Sequence, residues 1–281
     1  MARPHIEFIQ SQVLSWQKGL PGGHRTDVDS KILSLDPDGG GASLIVRYPP
    51  GWRREAAEHF GSDEEIFVLD GALTMGAHTY RPHHYAFLPA GTTRETAAAP
   101  DGAVVLTFYS GPARPVAGRG NGGDARRLVS QIDTYAMPWD VVTGIPNMRA
   151  GIARRVLRVD PDTGERTWML NAPPGGRPEG QVGPLEIHPV VEEMFLLEGV
   201  MHTERGVMHP GAYFWRPPQE PHGPAGSRTG NLILFRCIGG PLDVLWSEKT
   251  IAFRLDPPHD PILPPDLRVL GGVPVPPTTL Y

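Results

Sequence analysis

Between residues 186 and 222 the chain spaces four side chains that could hold a metal ion. Glu186-Ile187-His188 is followed after three residues by Glu192, and after six more by Gly199. Gly211 is followed after five residues by Pro217-Pro218-Gln219, and after two more by His222. On a strand, residues i and i+2 point to one face, so Glu186 and His188 project together. Glu192 follows across one turn, and His222 follows a second turn marked by Pro217. Four such groups converging inside a small barrel make a pocket of two imidazoles and two carboxylates. That donor set suits Fe, Mn, Ni or Zn better than copper(I). The same carboxylates could instead form a hydrogen-bonded acid/base couple without a metal.

The elements that would position these groups occur twice. Ile32-Leu33-Ser34-Leu35-Asp36-Pro37-Asp38 is echoed by Val156-Leu157-Arg158-Val159-Asp160-Pro161-Asp162. Glu64-Glu65-Ile66-Phe67-Val68-Leu69-Asp70-Gly71 is echoed, 128 positions on, by Glu192-Glu193-Met194-Phe195-Leu196-Leu197-Glu198-Gly199. Pro89 and Pro217 each lie 18 residues beyond the glycine of their run. Ordered landmarks at a nearly fixed offset mark an internal duplication. The segments carrying them, such as Leu44 to Tyr48, Ile66 to Leu69, Val104 to Tyr109 and Leu232 to Ile238, are short and β-branched or aromatic. They are bounded by Gly, Pro or Asp and read as strands. The chain has 34 Gly and 32 Pro in 281 residues. That is about 23%, against about 12% in average usage, and it implies many turns between short elements.

Composition sets the outer limits. With 40% hydrophobic and 20% charged residues the chain can build an ordinary core. A net charge of −5 with no basic patch argues against nucleic-acid binding. One cysteine, Cys237, excludes an intrachain disulfide framework and a multi-cysteine zinc cluster. No apolar run is long enough for a signal peptide or a membrane span, so the expected location is cytoplasmic and no membrane partner is expected.

The spacing around Glu186 and His222 resembles the two signature motifs of the cupin superfamily, and the chain is identified as a bicupin. The usual first motif ends in His-x-His, three or four residues, Glu, six residues, Gly. The usual second motif is Gly, five residues, Pro-x-Gly, two residues, His. The Glu-Glu-(Ile or Met)-Phe run is also similar to the cupin domain of zinc-dependent anti-sigma regulators. The resemblance implies an all-β chain of two tandem cupin (double-stranded β-helix, jelly-roll) barrels. Their expected bounds are 1–112 and 127–256, with a linker at 113–126 and a Pro-rich tail at 257–281. It implies that His188, Glu192 and His222 are ligands. Glu186 stands where the family has its first histidine and is a candidate fourth ligand. One divalent ion per chain is expected, Fe(II) foremost, with Mn, Ni or Zn as alternatives.

The first copy reads as degenerate. Glu64 keeps its glycine at the family distance, and His59 precedes it. Ala57 is read as standing at the first-histidine position and Arg94 at that of His222. Arginine stays protonated and is almost never a ligand, so Arg94 is expected to pair with Glu64. His78, His83 and His84 have no counterparts in the second copy. They could join His59 in a different site or serve as ordinary hydrogen-bonding residues. In the second copy, His202 and Trp215 are candidates to line a substrate pocket or to fill the core. Trp168, Met169 and Phe195 read as core.

Three functions fit this pattern. One is a dioxygenase-type oxidoreductase in which a 2-His-1-carboxylate face holds iron beside a small substrate with adjacent oxygens. There Glu186 either holds the metal or takes the enol proton. A second is a redox-neutral isomerase, lyase or hydrolase using the ion as a Lewis acid. The third is a non-catalytic small-molecule sensor. The expected partner is a small molecule in each case, and association of two or more copies of the chain is plausible.

Overall fold

Strands form wherever alternating apolar residues meet a partner, and almost every described segment does so. The computed structural model describes residues 3–144, 150–175, 177–272 and 279–281. Among these, the regular structure is β, apart from the single 3-10 turns Ser11–Val13 and Thr134–Ala136. None contains a helix long and apolar enough to cross a membrane. The chain divides into two units, Leu14–Met137 with Arg3, and Pro138–Tyr281 with Pro4–Val13.

The first unit is built on a seven-stranded antiparallel sheet. Its order is Val129–Asp133, His84–Leu88, Glu64–Gly71, Ala103–Tyr109, Ala42–Tyr48, His24–Leu35 and Gln17–Leu20. The central strand Ala103–Tyr109 is buried along its whole length because it has a partner on both sides and is covered on both faces. A second sheet of Trp52–Arg54, Ala97–Ala99, Leu73–Met75 and His78–Tyr80 belongs to the same unit. Leu44, Val46, Ile66, Val68, Leu73, Ala86 and Val105 belong to one buried cluster in this unit.

The second unit repeats the large sheet strand for strand. Its order is Ile6–Gln10, Ala212–Arg216, Val191–Gly199, Asn231–Ile238, Arg166–Ala172, Ala153–Val159 and Asp140–Val141. The opposing elements are the ribbons Val182–Ile187 with Leu245–Ala252 and Met201–Thr203 with Gly206–Met208. The repeat is exact at several positions 128 residues apart. Tyr85 donates to Glu65 at 2.6 Å, and Tyr213 donates to Glu193 at 2.6 Å. Gly71 and Gly199 close their strands at φ of 70° and 76°. A Cβ there would lie 2.2 Å from the Gly102 carbonyl oxygen or 2.1 Å from that of Gly230, so only glycine fits.

The expected architecture of two tandem jelly-roll units is therefore what the chain adopts, but the expected boundaries need correction. The strand that opens each copy completes the sheet of the other unit: Ile6–Gln10 pairs Ala212–Arg216, and Val129–Asp133 pairs His84–Leu88. The segment 113–126 is not a bare linker, because Pro115–Ala117 pairs Glu58–Phe60. Part of the Pro-rich tail is also tied down, since Ile262 exchanges two main-chain hydrogen bonds with Glu7. In each case a short segment takes its partner from outside its own neighbourhood, where local composition carries no information.

Candidate metal centre

Two main-chain ladders bring the four sequence-predicted residues of the second unit together. Glu186, near the end of Val182–Ile187, exchanges backbone hydrogen bonds with His222 at 2.8 and 3.0 Å. The Gln219 amide donates to the His188 carbonyl at 2.8 Å, which anchors the Pro217 turn against the first motif. Glu192 lies on the neighbouring strand Val191–Gly199. His188, Glu192 and His222 are buried, and Glu186 is partly exposed.

Both imidazoles are oriented for ligation. The Nδ1 of His188 lies 2.8 Å from the Asp243 carbonyl oxygen, and that of His222 lies 3.1 Å from the Glu220 carbonyl oxygen. A carbonyl can only accept, so each Nδ1 carries a proton and each Nε2 is the atom left to ligate. The Nε2 of His188 is 4.0 Å from Glu186 Oε2 and 3.9 Å from Glu192 Oε2. The Nε2 of His222 is 3.6 Å from Glu192 Oε2. These separations fall below about 4.2 Å, twice a metal–donor distance of about 2.1 Å, as donors to a shared ion require. Donor atoms of Glu186, His188 and His222 all lie within 4.8 Å of one another. The donor set thus fits a divalent ion.

Electrostatics favour the same reading. Burial, reinforced by Arg216, pushes the His222 pKa down to about 4, so its ring is neutral near pH 7. Burial, with the Glu192 charge beside it, raises that of Glu186. Burial would raise Glu192 too, but Arg216, His188 and His222 outweigh it and keep that carboxyl below its usual range. Arg216 is the residue that sequence reasoning missed. It bonds Glu192 and also forks onto Glu7, with Nε to Glu7 Oε2 at 2.8 Å. Arg216 outweighs the burial of Glu7 and brings that carboxyl to about 2. A signal was present: Ile6-Glu7-Phe8-Ile9 sets one carboxylate in an apolar strand, which demands a buried partner.

A cavity of about 200 Å³ opens beside these residues. Glu186, His188 and Glu192 line it, together with the inward-facing Arg166, Trp168, Leu170 and Ala172 of a single strand. His202 and Trp215 do not line it. His202 sits in the ribbon Met201–Thr203 opposite Val207, and Trp215 is buried between Ile6 and Glu193. Trp168, read as core, is buried in an apolar cluster with Val190 and Cys237 and also forms part of the wall, while Met169 and Phe195 are buried.

The first unit holds the corresponding residues in a closed arrangement. Glu58 exchanges backbone hydrogen bonds with Arg94 as Glu186 does with His222. The counterparts of Glu186, His188, Glu192 and His222 are therefore Glu58, Phe60, Glu64 and Arg94. This corrects the expected register by one residue, since Glu58 replaces Ala57 and Phe60 replaces His59. His59 bonds the Gly118 carbonyl at 3.2 Å instead. Arg94 donates to Glu64 at 2.6 Å and the Tyr109 hydroxyl donates to it at 2.7 Å. Arg25 and Arg54 pair with Glu58. The remaining cavity is about 10 Å³, on the scale of one water. His78 and His84 both bond Gln131, and His83 stacks on Tyr135 at 4.7 Å, so none of the three gathers with His59.

Comparison with known proteins agrees with this geometry. The family model described as the ChrR Cupin-like domain matches residues 5–114 and again 129–240. No curated protein matches the chain. Among solved structures, a proposed dioxygenase from Nostoc punctiforme superposes with a TM-score of 0.73 at 18% identity, covering 88% of this chain and 92% of that one. A glyoxylate-induced protein assigned in Pseudomonas aeruginosa gives 0.56 at 16%, covering 90% and 92%. Oxalate decarboxylase from Bacillus subtilis gives 0.52 at 10%, covering 85% and 78%. At such identities these likenesses speak for the fold. Because the family model matches most of the chain in two successive copies, the protein belongs to the ChrR cupin-like domain family and is a bicupin.

Proposed function

We propose that the second unit holds one divalent metal ion, Fe(II) foremost, and that the protein is a dioxygenase-type enzyme acting on a small oxygen-bearing organic molecule. The observation that carries this is the pair of imidazoles whose Nδ1 protons are committed to carbonyls while their Nε2 atoms face two carboxylates beside an open cavity. His188, His222 and Glu186 would hold the ion, leaving positions open as a 2-His-1-carboxylate face does. Bound iron would supply the redox chemistry with dioxygen. Arg216 keeps Glu192 ionised and fixes it beside both histidines as a fourth donor. Glu186 also lines the cavity, so its second oxygen can take a proton from an enol or hydroxyl of the substrate. The Asp243 and Glu220 carbonyls hold the rings against rotation and raise their basicity.

The test is oxygen uptake by chelator-stripped protein reloaded separately with Fe(II), Mn(II) or Zn(II), using enolisable diketones and hydroxyketones. Uptake coupled to substrate loss with iron, and abolished in His222→Ala, supports the reading. Turnover at the same rate without oxygen, or with zinc, overturns it. That outcome would favour a redox-neutral reaction, for which the raised proton affinity of Glu186 suits a proton shuttle.

A further inference from the structure

The wall of the second unit's cavity carries three guanidiniums, Arg154, Arg166 and Arg177. Among the described residues none of them makes an ion pair within 4 Å, and the Nε of each is buried without a hydrogen-bond partner. Other buried arginines here are engaged: Arg216 with Glu7 and Glu192, Arg158 with Asp160, and Arg94 with Glu64. A half-buried guanidinium without a counter-charge is costly, and three facing one cavity call for an anion from outside. The cavity's own carboxylates do not supply it. Glu192 is paired with Arg216, and Glu186 feels Arg177 only at longer range.

Strand register shows how the wall is laid out. Arg166 is level with Cys237 and Glu192 across three strands. The next inward row is Trp168 with Phe235, and the one after is Leu170 with Ile233, level with Arg154. Rows two residues apart are separated by about 7 Å. The wall therefore runs from a polar end at the candidate ligands, across an aromatic band, to a second cation at Arg154. Trp168 and Phe235 stack in that band with ring centroids 5.3 Å apart. Ile152, Val156, Leu170, Ile233 and Leu242 add apolar surface. A dry cavity of about 150 Å³ accepts benzene. The 200 Å³ here has room for one aromatic ring and a short polar arm.

We infer that the substrate of this site is a mono-anionic organic acid with an aryl or branched apolar body, its acid group taken by one of the unpaired guanidiniums and its body lying across Trp168 and Phe235. The inference rests on the reading of this cavity as the substrate site, but the binding it predicts does not require the metal. A small dicarboxylate would meet one end of the wall and leave the aromatic band uncovered. A neutral ketone would cover the band and leave the cations unpaired.

The test is calorimetric titration of the chelator-stripped full chain with 3-phenylpropanoate, 3-phenylpropanamide and oxalate at constant ionic strength and pH 7.5. The acid should bind at least about tenfold tighter than the amide, the size expected from one charge-assisted hydrogen bond. It should also bind more tightly than oxalate. Arg154→Gln, Arg166→Gln or Arg177→Gln should erase most of that acid-to-amide preference in at least one variant. Equal binding of acid and amide by the unaltered chain, or an unchanged preference in all three variants, would overturn the inference. Oxalate binding as tightly as 3-phenylpropanoate would overturn its apolar half. Metal content is measured separately on the same preparation. Loss of the metal reading with the preference intact would refute only the proposed chemistry, and the reverse would refute only the substrate class.

Discussion

The two units place a carboxylate at the same point of the same strand and give it opposite surroundings. Glu64 is held by Arg94 and Tyr109, and the space around it is closed. Glu192 meets Arg216 on one side, but two imidazoles and an open cavity occupy the other. Both carboxylates of the proposed ligand quartet survive in the first unit as Glu58 and Glu64, and each is met by arginine. What changed are the imidazole positions, now Phe60 and Arg94. A buried carboxylate needs a counter-charge. One unit supplies it wholly from the chain; we propose that the other adds an ion to the charge that Arg216 supplies. The second Glu of each pair keeps one partner: Glu65 and Glu193 are both tied to tyrosine, and Glu193 also pairs with Arg236. The duplication thus kept its carboxylates and divided at the imidazole positions.

The largest expected effect breaks that contrast from the metal side. His188→Ala should weaken metal binding by more than the roughly 10- to 100-fold that outer-shell changes cost, measured by competition with a chelating dye. Arg94→Met in the first unit should leave metal content unchanged. It should destabilise that unit by about 3–5 kcal/mol, because it strands Glu64 in a buried site, and denaturant melts would show the shift. Glu7→Gln should likewise destabilise the second unit, because it removes one of the two carboxylates that hold the buried Arg216.

A pH series sharpens the role of Glu7. Its pKa in the folded chain lies near 2, below an ordinary value of 4.5. Its contribution is therefore fully present above about pH 4.5 and is lost as pH falls toward 2. At about 1.4 kcal/mol per pH unit it amounts to about 3 kcal/mol. Melting temperatures between pH 6 and pH 3 should fall less steeply in Glu7→Gln than in the parent chain. The smallest effect should be shared: Tyr85→Phe and Tyr213→Phe should each cost about 1.5–3 kcal/mol, the range for a hydrogen bond to a charged group. Neither should alter metal content, and a clear effect of Tyr213→Phe on metal would show that Glu193 also serves the site.

Much of this was legible in the sequence because the duplication repeats local signals. Glu-Glu runs ending in glycine, and prolines at a fixed distance beyond them, mark strands and turns that depend on nearby residues. The clustering of Glu186, His188, Glu192 and His222 could be anticipated from spacing on two short ladders. The first copy's register slipped by one residue because Ala57-Glu58-His59-Phe60 offers two alignments, and only the ladder to Arg94 separates them. The pairing of the first strand, and with it the place of Glu7, depends on a partner about 200 residues away. The facing of Arg154 and Arg166 depends on pairing across three strands, and the bulge between Val156 and Arg158 interrupts the simple alternation.

Elemental analysis of protein purified without added metal tests the central claim most directly. The account predicts about one divalent ion per chain, lost in His222→Ala and retained in Glu64→Gln. No ion under any loading condition, or a second ion that depends on Glu64, would contradict it.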